Sequence, residues 1–378
     1  MNSSKLCWTL LLLASLAGCT STQYDLLTSE MDNASLQPLL AAYEEKPTTT
    51  YYIPTQRGDE PPADLAIHIT GCETAERGII LVHGCATDAQ SWRFVSGDLG
   101  ADHRLILVDL LGCGKSDCPD PATLGPDGYS PDAMADRVLQ ALNACMKNGD
   151  LPERLTLVGH SLGGAIALRM MGSEEKRVHY ADLLTRIDRM VLLTPLDVEF
   201  INPPEVFKRI ATMPPYLFEL ADTLGILREV VAEGIYNAPF DRRFALREDA
   251  NKRLEMLTRR ESLLANQAIL RQACPFDGDH LDWDAARRMT ADYANVDVPC
   301  VILWGAYDDM LPVSMGYKIA HELPAAALYI VPDCKHSAQL EHPKYCADTI
   351  RRFSAAEEPL ALDYSYPDTR MADSQGGE

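Results

Sequence analysis

One segment constrains the fold of this chain more than any other. Leu155-Thr156-Leu157-Val158 is an apolar run of strand length, Gly159-His160-Ser161-Leu162-Gly163 is a glycine-flanked turn, and Gly164-Ala165-Ile166-Ala167-Leu168 reads on as a helix. A strand that turns sharply into a helix with a serine at its apex needs glycine on both sides, where side chains would block the packing of helix on strand. Among 23 glycines the bare G-x-S-x-G pattern arises readily by chance, so its weight comes from the strand before it and the helix after it.

The body of the chain repeats that strand-to-helix rhythm. Short apolar runs bounded by turn residues occur at Leu65–Ile69, Gly78–Val82, Arg104–Val108, Leu155–Val158, Met190–Leu193, Cys300–Leu303 and Ala327–Val331. Uninterrupted runs of this kind are expected of parallel strands buried on both faces. Helical patterns lie between them, such as Pro131 to Met146 with Ser130 at the N-cap and proline at the first position. The fold class is therefore α/β, a mostly parallel sheet flanked by helices. The alternation breaks between residues 196 and 293, where no convincing strand appears. Leu217, Leu220, Leu224, Leu227 and Val231 there follow helical spacing. This span reads as a helical insertion, a cap over a site or a decoration of the sheet edge. The core then comprises residues 51–195 and 294–354, and the acidic stretch 355–378 reads as a disordered tail.

The start of the chain carries an address. Lys5 precedes an apolar run from Leu6 to Leu16, too short for an ordinary membrane span, so residues 1–18 have the layout of a secretory signal peptide. Leu16-Ala17-Gly18-Cys19 resembles the lipobox of bacterial lipoproteins, which implies lipid attachment at Cys19. Thr20 after it, in place of Asp, favours the outer membrane, facing the periplasm. Residues 19–50 then form the anchor and a polar tether, with a short helix expected around Ser35 to Tyr43. Export places the remaining nine of the 11 cysteines where disulfides can form, with connectivity left open. No spacing reads as a zinc site. A formal net charge of −21 argues against a nucleic-acid partner, which needs clustered Lys and Arg.

Four further segments surround the serine motif in order. Ile79-Ile80-Leu81-Val82-His83-Gly84-Cys85 ends a strand in His-Gly, and Asp109-Leu110-Leu111-Gly112-Cys113-Gly114-Lys115-Ser116 forms a glycine-rich turn after the next. Gly305-Ala306-Tyr307-Asp308-Asp309-Met310-Leu311-Pro312 follows a late strand, and His336-Ser337-Ala338-Gln339-Leu340-Glu341-His342-Pro343 follows the last. Together with Ser161 these resemble the α/β-hydrolase family, in its branch with a helical cap, over about residues 51–354. The resemblance implies a triad of Ser161, Asp308 and His336, in the chain order of that fold. It implies an oxyanion hole from the backbone amides of Cys85 and Leu162, a structural His83, and local hydrogen bonding by Asp109. Lys335 departs from the family, which has glycine there. A lysine amine facing the ring would oppose protonation of His336.

The activity so implied is hydrolysis of a carboxylic ester through an acyl-enzyme, with no metal or organic cofactor. Amide, thioester and C–C bond cleavage use the same constellation, since fold and triad do not fix the leaving group. A non-catalytic envelope lipoprotein that keeps the fold for binding is the competing class; it would be marked by a damaged triad, and all three positions are present. Phe207, Met213, Tyr216, Phe218 and Leu220 in the cap suit either a hydrophobic small-molecule substrate or the packing of the cap itself.

Overall fold

The computed structural model describes residues 48–199, 205–277 and 280–355, together with Met31 and Leu36. The leader, Cys19, the tether helix apart from Leu36, and the acidic tail beyond residue 355 lie outside the described residues. Eight strands form one sheet: β1 Thr49–Thr55, β2 Ala63–Gly71, β3 Arg77–Val82, β4 Arg104–Val108, β5 Arg154–His160, β6 Ile187–Leu193, β7 Cys300–Gly305 and β8 Ala326–Val331. Their order is 1-2-4-3-5-6-7-8. Strand β2 runs antiparallel to both neighbours, and all other pairings are parallel.

The central strands are buried on both faces. Ile79 and Leu81 pack in one apolar cluster and Ile80 and Val82 in another, and β4 repeats the division with Leu105 and Leu107 against Ile106 and Val108. Successive side chains point to opposite faces of a strand, so an unbroken apolar run feeds both cores at once. Each such aliphatic side chain stabilises the fold by about 1.5–3 kcal/mol when fully buried. Helices cover the two faces, among them α1 Arg93–Leu99, α2 Pro131–Lys147 and α3 Leu162–Gly172. At α2 the Ser130 hydroxyl accepts from the Ala133 amide at 3.2 Å, a cap that contributes about 1 kcal/mol.

Strand β1 straddles the expected boundary between tether and core at residues 50 and 51, ahead of the first strand expected from sequence. It is a half-exposed antiparallel edge strand, so it lacks the continuous apolar run that reveals the inner strands. Strand β6 begins earlier than its apolar run, because Asp188 pairs with Arg77 and Arg154 while the Arg189 guanidinium lies over the Phe353 ring.

Between β6 and β7 the chain forms α4 Glu205–Thr212, α5 Pro215–Thr223, α6 Ile226–Asn237, α7 Arg247–Thr258, α8 Arg260–Gln272 and α9 Trp283–Ala291. A two-stranded hairpin of Phe276–Asp277 and His280–Leu281 also occurs there, too short to give a strand signal in sequence. The cap has its own core of Phe218, Leu227, Val231, Leu257 and Leu263. Ala265, Ala268 and Ile269 of α8 join the main core instead, which seats the cap on the sheet. Met31 is buried in the cap core, and Leu36 packs with Phe94 and Leu246.

All nine described cysteines are free, against the expectation that some pair. Six are buried, where they fill small apolar spaces, and burial pushes the Cys145 thiol up to about 12. Among the described residues no helix is long and apolar enough to cross a membrane.

Candidate active site

Ser161 sits between β5 and α3 with φ 53° and ψ −118°. Such a left-handed conformation costs a residue with a side chain about 1–3 kcal/mol and persists only when its surroundings enforce it. Here the Ser161 N–H donates to Leu193 O at 2.9 Å, while its carbonyl accepts from Gly164 and Leu196, each at 2.9 Å. The flanking glycines are steric requirements. A Cβ at Gly159 would lie 2.5 Å from the carbonyl oxygen of Gly163, and one at Gly163 would strike the carbonyls of Val82 and His83.

His336 follows β8, and its Nδ1 lies 2.8 Å from Oδ2 of Asp308, whose side chain is wholly buried. The other Asp308 oxygen accepts from the Met310 and Leu311 amides, both at 2.9 Å. With that carboxylate fixed, His336 Nδ1 is the donor and Nε2 is left as the basic nitrogen. The adjacent carboxylate, Asp309, is 63 % exposed and pairs with Lys335. The second histidine of this segment, His342, is directed to the carbonyl of Asp333 at 3.0 Å.

Lys335 does not face the base. Its amine donates to Asp309 at 2.8 Å and to the carbonyl of Asn237, at the end of α6, at 3.0 Å. The left-handed residue of this loop is Asp333, with φ 50°, so position 335 needs no glycine. Buried Glu341 secures the same loop. It accepts from the Lys335 and Ser337 amides at 3.2 Å and from Phe240 N of the cap at 2.6 Å.

Ser161, His336, Cys85 and Leu162 line one cavity of about 550 Å³ between core and cap. Neither the Cys85 nor the Leu162 amide donates to an acceptor among the described residues, which leaves both N–H groups available to a ligand. Burial pushes the Cys85 thiol up to about 11, so it is a neutral side chain there. His83 accepts from Leu110 N at Nε2 and so donates from Nδ1 to Gly84 O at 2.7 Å, a structural arrangement. Asp109 accepts from His68 and from the Ala89 and Lys115 amides. Burial works against its charge, yet the His68 hydrogen bond helps hold its carboxyl below the usual range.

Of the five cap side chains singled out in the sequence, only Phe207 lines the cavity. Phe218 and Met213 pack inside the cap, and Tyr216 and Leu220 are exposed. Two features of the site had no role assigned from sequence. His160 Nε2 and Thr194 Oγ1 both donate to the carbonyl of His336, and Arg253 of α7 reaches the cavity. The Arg253 guanidinium has no hydrogen bond or close ion pair among the described residues. Burial lowers its pKa, while Cys85 and Asp249 favour its charge at longer range. The Asp249 carboxylate is itself bonded to Arg93 at 2.7 Å.

The chain is 26 % identical over 318 residues to the 2-hydroxy-6-oxononadienedioate/2-hydroxy-6-oxononatrienedioate hydrolase of Burkholderia vietnamiensis, covering 79 % of this chain and 93 % of the relative. The structure of 2-hydroxy-6-oxo-6-phenylhexa-2,4-dienoate hydrolase from Rhodococcus superposes with a TM-score of 0.60 at 19 % identity, over 82 % of this chain and 100 % of that one. A serine hydrolase of the polyaromatic-hydrocarbon-degrading bacterium Cycloclasticus gives a TM-score of 0.59 at 18 % identity, over 81 % and 98 %. Residues 79–349, well over half the chain, match the model of the Alpha/beta hydrolase family, and the chain belongs to that family.

Proposed function

We propose that the protein is a serine hydrolase that cleaves a carboxylic ester with a largely apolar acyl group. The observation that carries this reading is that one cavity is lined both by a strained Ser161 and by His336, whose Nδ1 is held by Asp308. Ser161 Oγ attacks the carbonyl carbon while His336 Nε2 takes its proton, then returns it to the leaving alcohol. The Cys85 and Leu162 amides hold the oxyanion, each such donor contributing about 3 kcal/mol to the transition state. Water, activated by His336, releases the acid and restores Ser161. Phe207, Ile210, Ile235 and Leu270 in the cavity wall suit an apolar acyl chain.

A second reading is favoured by Arg253 and by the relatives. A cavity-facing guanidinium without a bonded carboxylate suits a substrate that supplies one. The Burkholderia and Rhodococcus proteins are named as hydrolases of a dioate and a dienoate, anionic compounds. On this reading the triad cleaves a C–C bond next to a ketone in a carboxylate-bearing substrate.

The leader supports a place for the reaction. The lipobox-like Leu16–Cys19 supports a lipid anchor at Cys19 and a location at the periplasmic face of an outer membrane. A Cys19→Ala protein that remains equally membrane-associated would remove that part. Rates across neutral esters of increasing acyl length, with amide, thioester and vinylogous 1,5-diketone acid controls, separate the two chemistries. Turnover of neutral esters that rises with chain length supports the first reading; turnover confined to the diketone acid overturns it.

A further inference from the structure

The residues on either side of Asp308 and of His336 share one partner, the cap segment of residues 237–240 at the end of α6. Beside Asp308, the Tyr307 ring packs on the Phe240 ring with centroids 4.8 Å apart, and the Asp309 carboxylate accepts from the Lys335 amine at 2.8 Å. Beside His336, that same amine donates to the carbonyl of Asn237 at 3.0 Å. The Lys335 and Ser337 amides both donate to Glu341, which also accepts from Phe240 N at 2.6 Å. The same segment bounds the cavity through Ala238 and Pro239.

Two loops that follow different strands, β7 and β8, are thereby tied to one stretch of cap. The Asp308 to His336 bond of 2.8 Å orients the ring only while the two backbones keep their spacing, and a misplacement of about 1 Å costs up to about 10²-fold in rate. Glycine at position 335 would leave the Asp309 carboxylate and the Asn237 carbonyl without their shared donor. The ion pair itself adds little to stability, because Asp309 is 63 % exposed. What it adds is a fixed distance between the acid loop, the base loop and the cap.

We propose that Lys335 is a positioning residue: with Phe240 it clasps the acid and base loops to residues 237–240 of the cap and so holds Asp308 and His336 in register. This role presupposes the serine-hydrolase reading of the triad. It makes the cap a part of the reacting site as well as its wall.

The test is the saturation kinetics of inactivation by an alkyl fluorophosphonate in the full chain, beside a thermal melt. Lys335→Met should lower the limiting rate of inactivation about tenfold, with the half-saturating concentration within about twofold of the parent and an unchanged melting temperature. Lys335→Arg should recover most of the loss. The pH midpoint of inactivation should stay in place, because the amine is turned to Asp309 and Asn237; a midpoint moved by about one unit or more would make the lysine's role electrostatic and overturn the proposal. Phe240→Ala, the second variant, should also lose rate, and the double variant should lose less than the product of the two single losses. Losses that multiply, or that appear only with a lowered melting temperature, overturn the clasp. A parent left unlabelled sinks the serine-hydrolase reading itself, whereas a labelled parent with an unaffected Lys335→Met sinks the positioning role alone.

Discussion

The ring Nε2 of His160 donates to the carbonyl oxygen of His336 across 3.0 Å. The residue before Ser161 thus holds the backbone of His336, and Thr194 Oγ1 supplies a second donor at 2.9 Å. His160 must be neutral to sit there. Burial and the neighbouring His336 push it down to about 3 from 6.5, and its Nδ1 has no hydrogen-bond partner among the described residues.

That depression predicts a pH dependence of stability. In the unfolded chain His160 gains a proton as pH falls through 6.5, and in the folded chain only near 3. Its contribution is therefore complete above 6.5 and is lost on acidification between those values, at about 1.4 kcal/mol per pH unit. Urea unfolding measured from pH 7 to pH 4 should show a shallower decline in His160→Asn than in the parent. Parallel declines would mean that His160 is not the group responsible.

Asp308→Asn should leave the fold intact and depress kcat by about 10⁴. The two backbone amides that bond Oδ1 will keep the amide oxygen of asparagine, turning its NH₂ toward His336 Nδ1. The imidazole must then accept at Nδ1 and carry its proton on Nε2, the wrong tautomer for a base. Steady-state kinetics beside a thermal melt checks this; a loss of kcat below tenfold contradicts the assignment.

Glu341→Gln should cost about 2 kcal/mol of stability and lower kcat more than it raises KM. The carboxylate accepts from amides on both sides of His336 and from Phe240 of the cap. A glutamine sets an N–H against at least one of those donors, leaving buried groups unpaired. Urea unfolding and steady-state rates measure the two effects, and unchanged kcat would show that the cap contact does not position the base.

Arg253→Met separates the two substrate readings. If the guanidinium binds a substrate carboxylate, kcat/KM for carboxylate-bearing substrates falls by about 10²-fold while neutral esters are unaffected. Equal effects on both classes, measured in parallel assays, would make Arg253 a packing residue.

What could be read from sequence divides along physical lines. The inner strands were legible because burial on both faces forces unbroken apolar runs, as at Ile79–Val82. The edge strand β1, half exposed and antiparallel, left no such mark. Ser161, Asp308 and His336 were legible because each lies in a local turn with its own spacing. The His160 bond to His336 joins residues 176 positions apart, and Arg253 gains its meaning only from the absence of a bonded carboxylate nearby. In sequence Tyr216, Phe218 and Leu220 suit either a substrate or the packing of the cap, and the burial of Phe218 decides which side of the helix faces in. Helical spacing gives a face its neighbours, but tertiary contact decides which face is buried.

The nucleophile is the claim on which the chemistry depends. Treating the purified protein with a fluorophosphonate and mapping the adduct by peptide mass spectrometry tests it most directly. The adduct should lie on Ser161 and disappear in Ser161→Ala, with kcat lowered by about 10⁶. Absence of an adduct on the wild type, or one that persists in Ser161→Ala, would contradict the account.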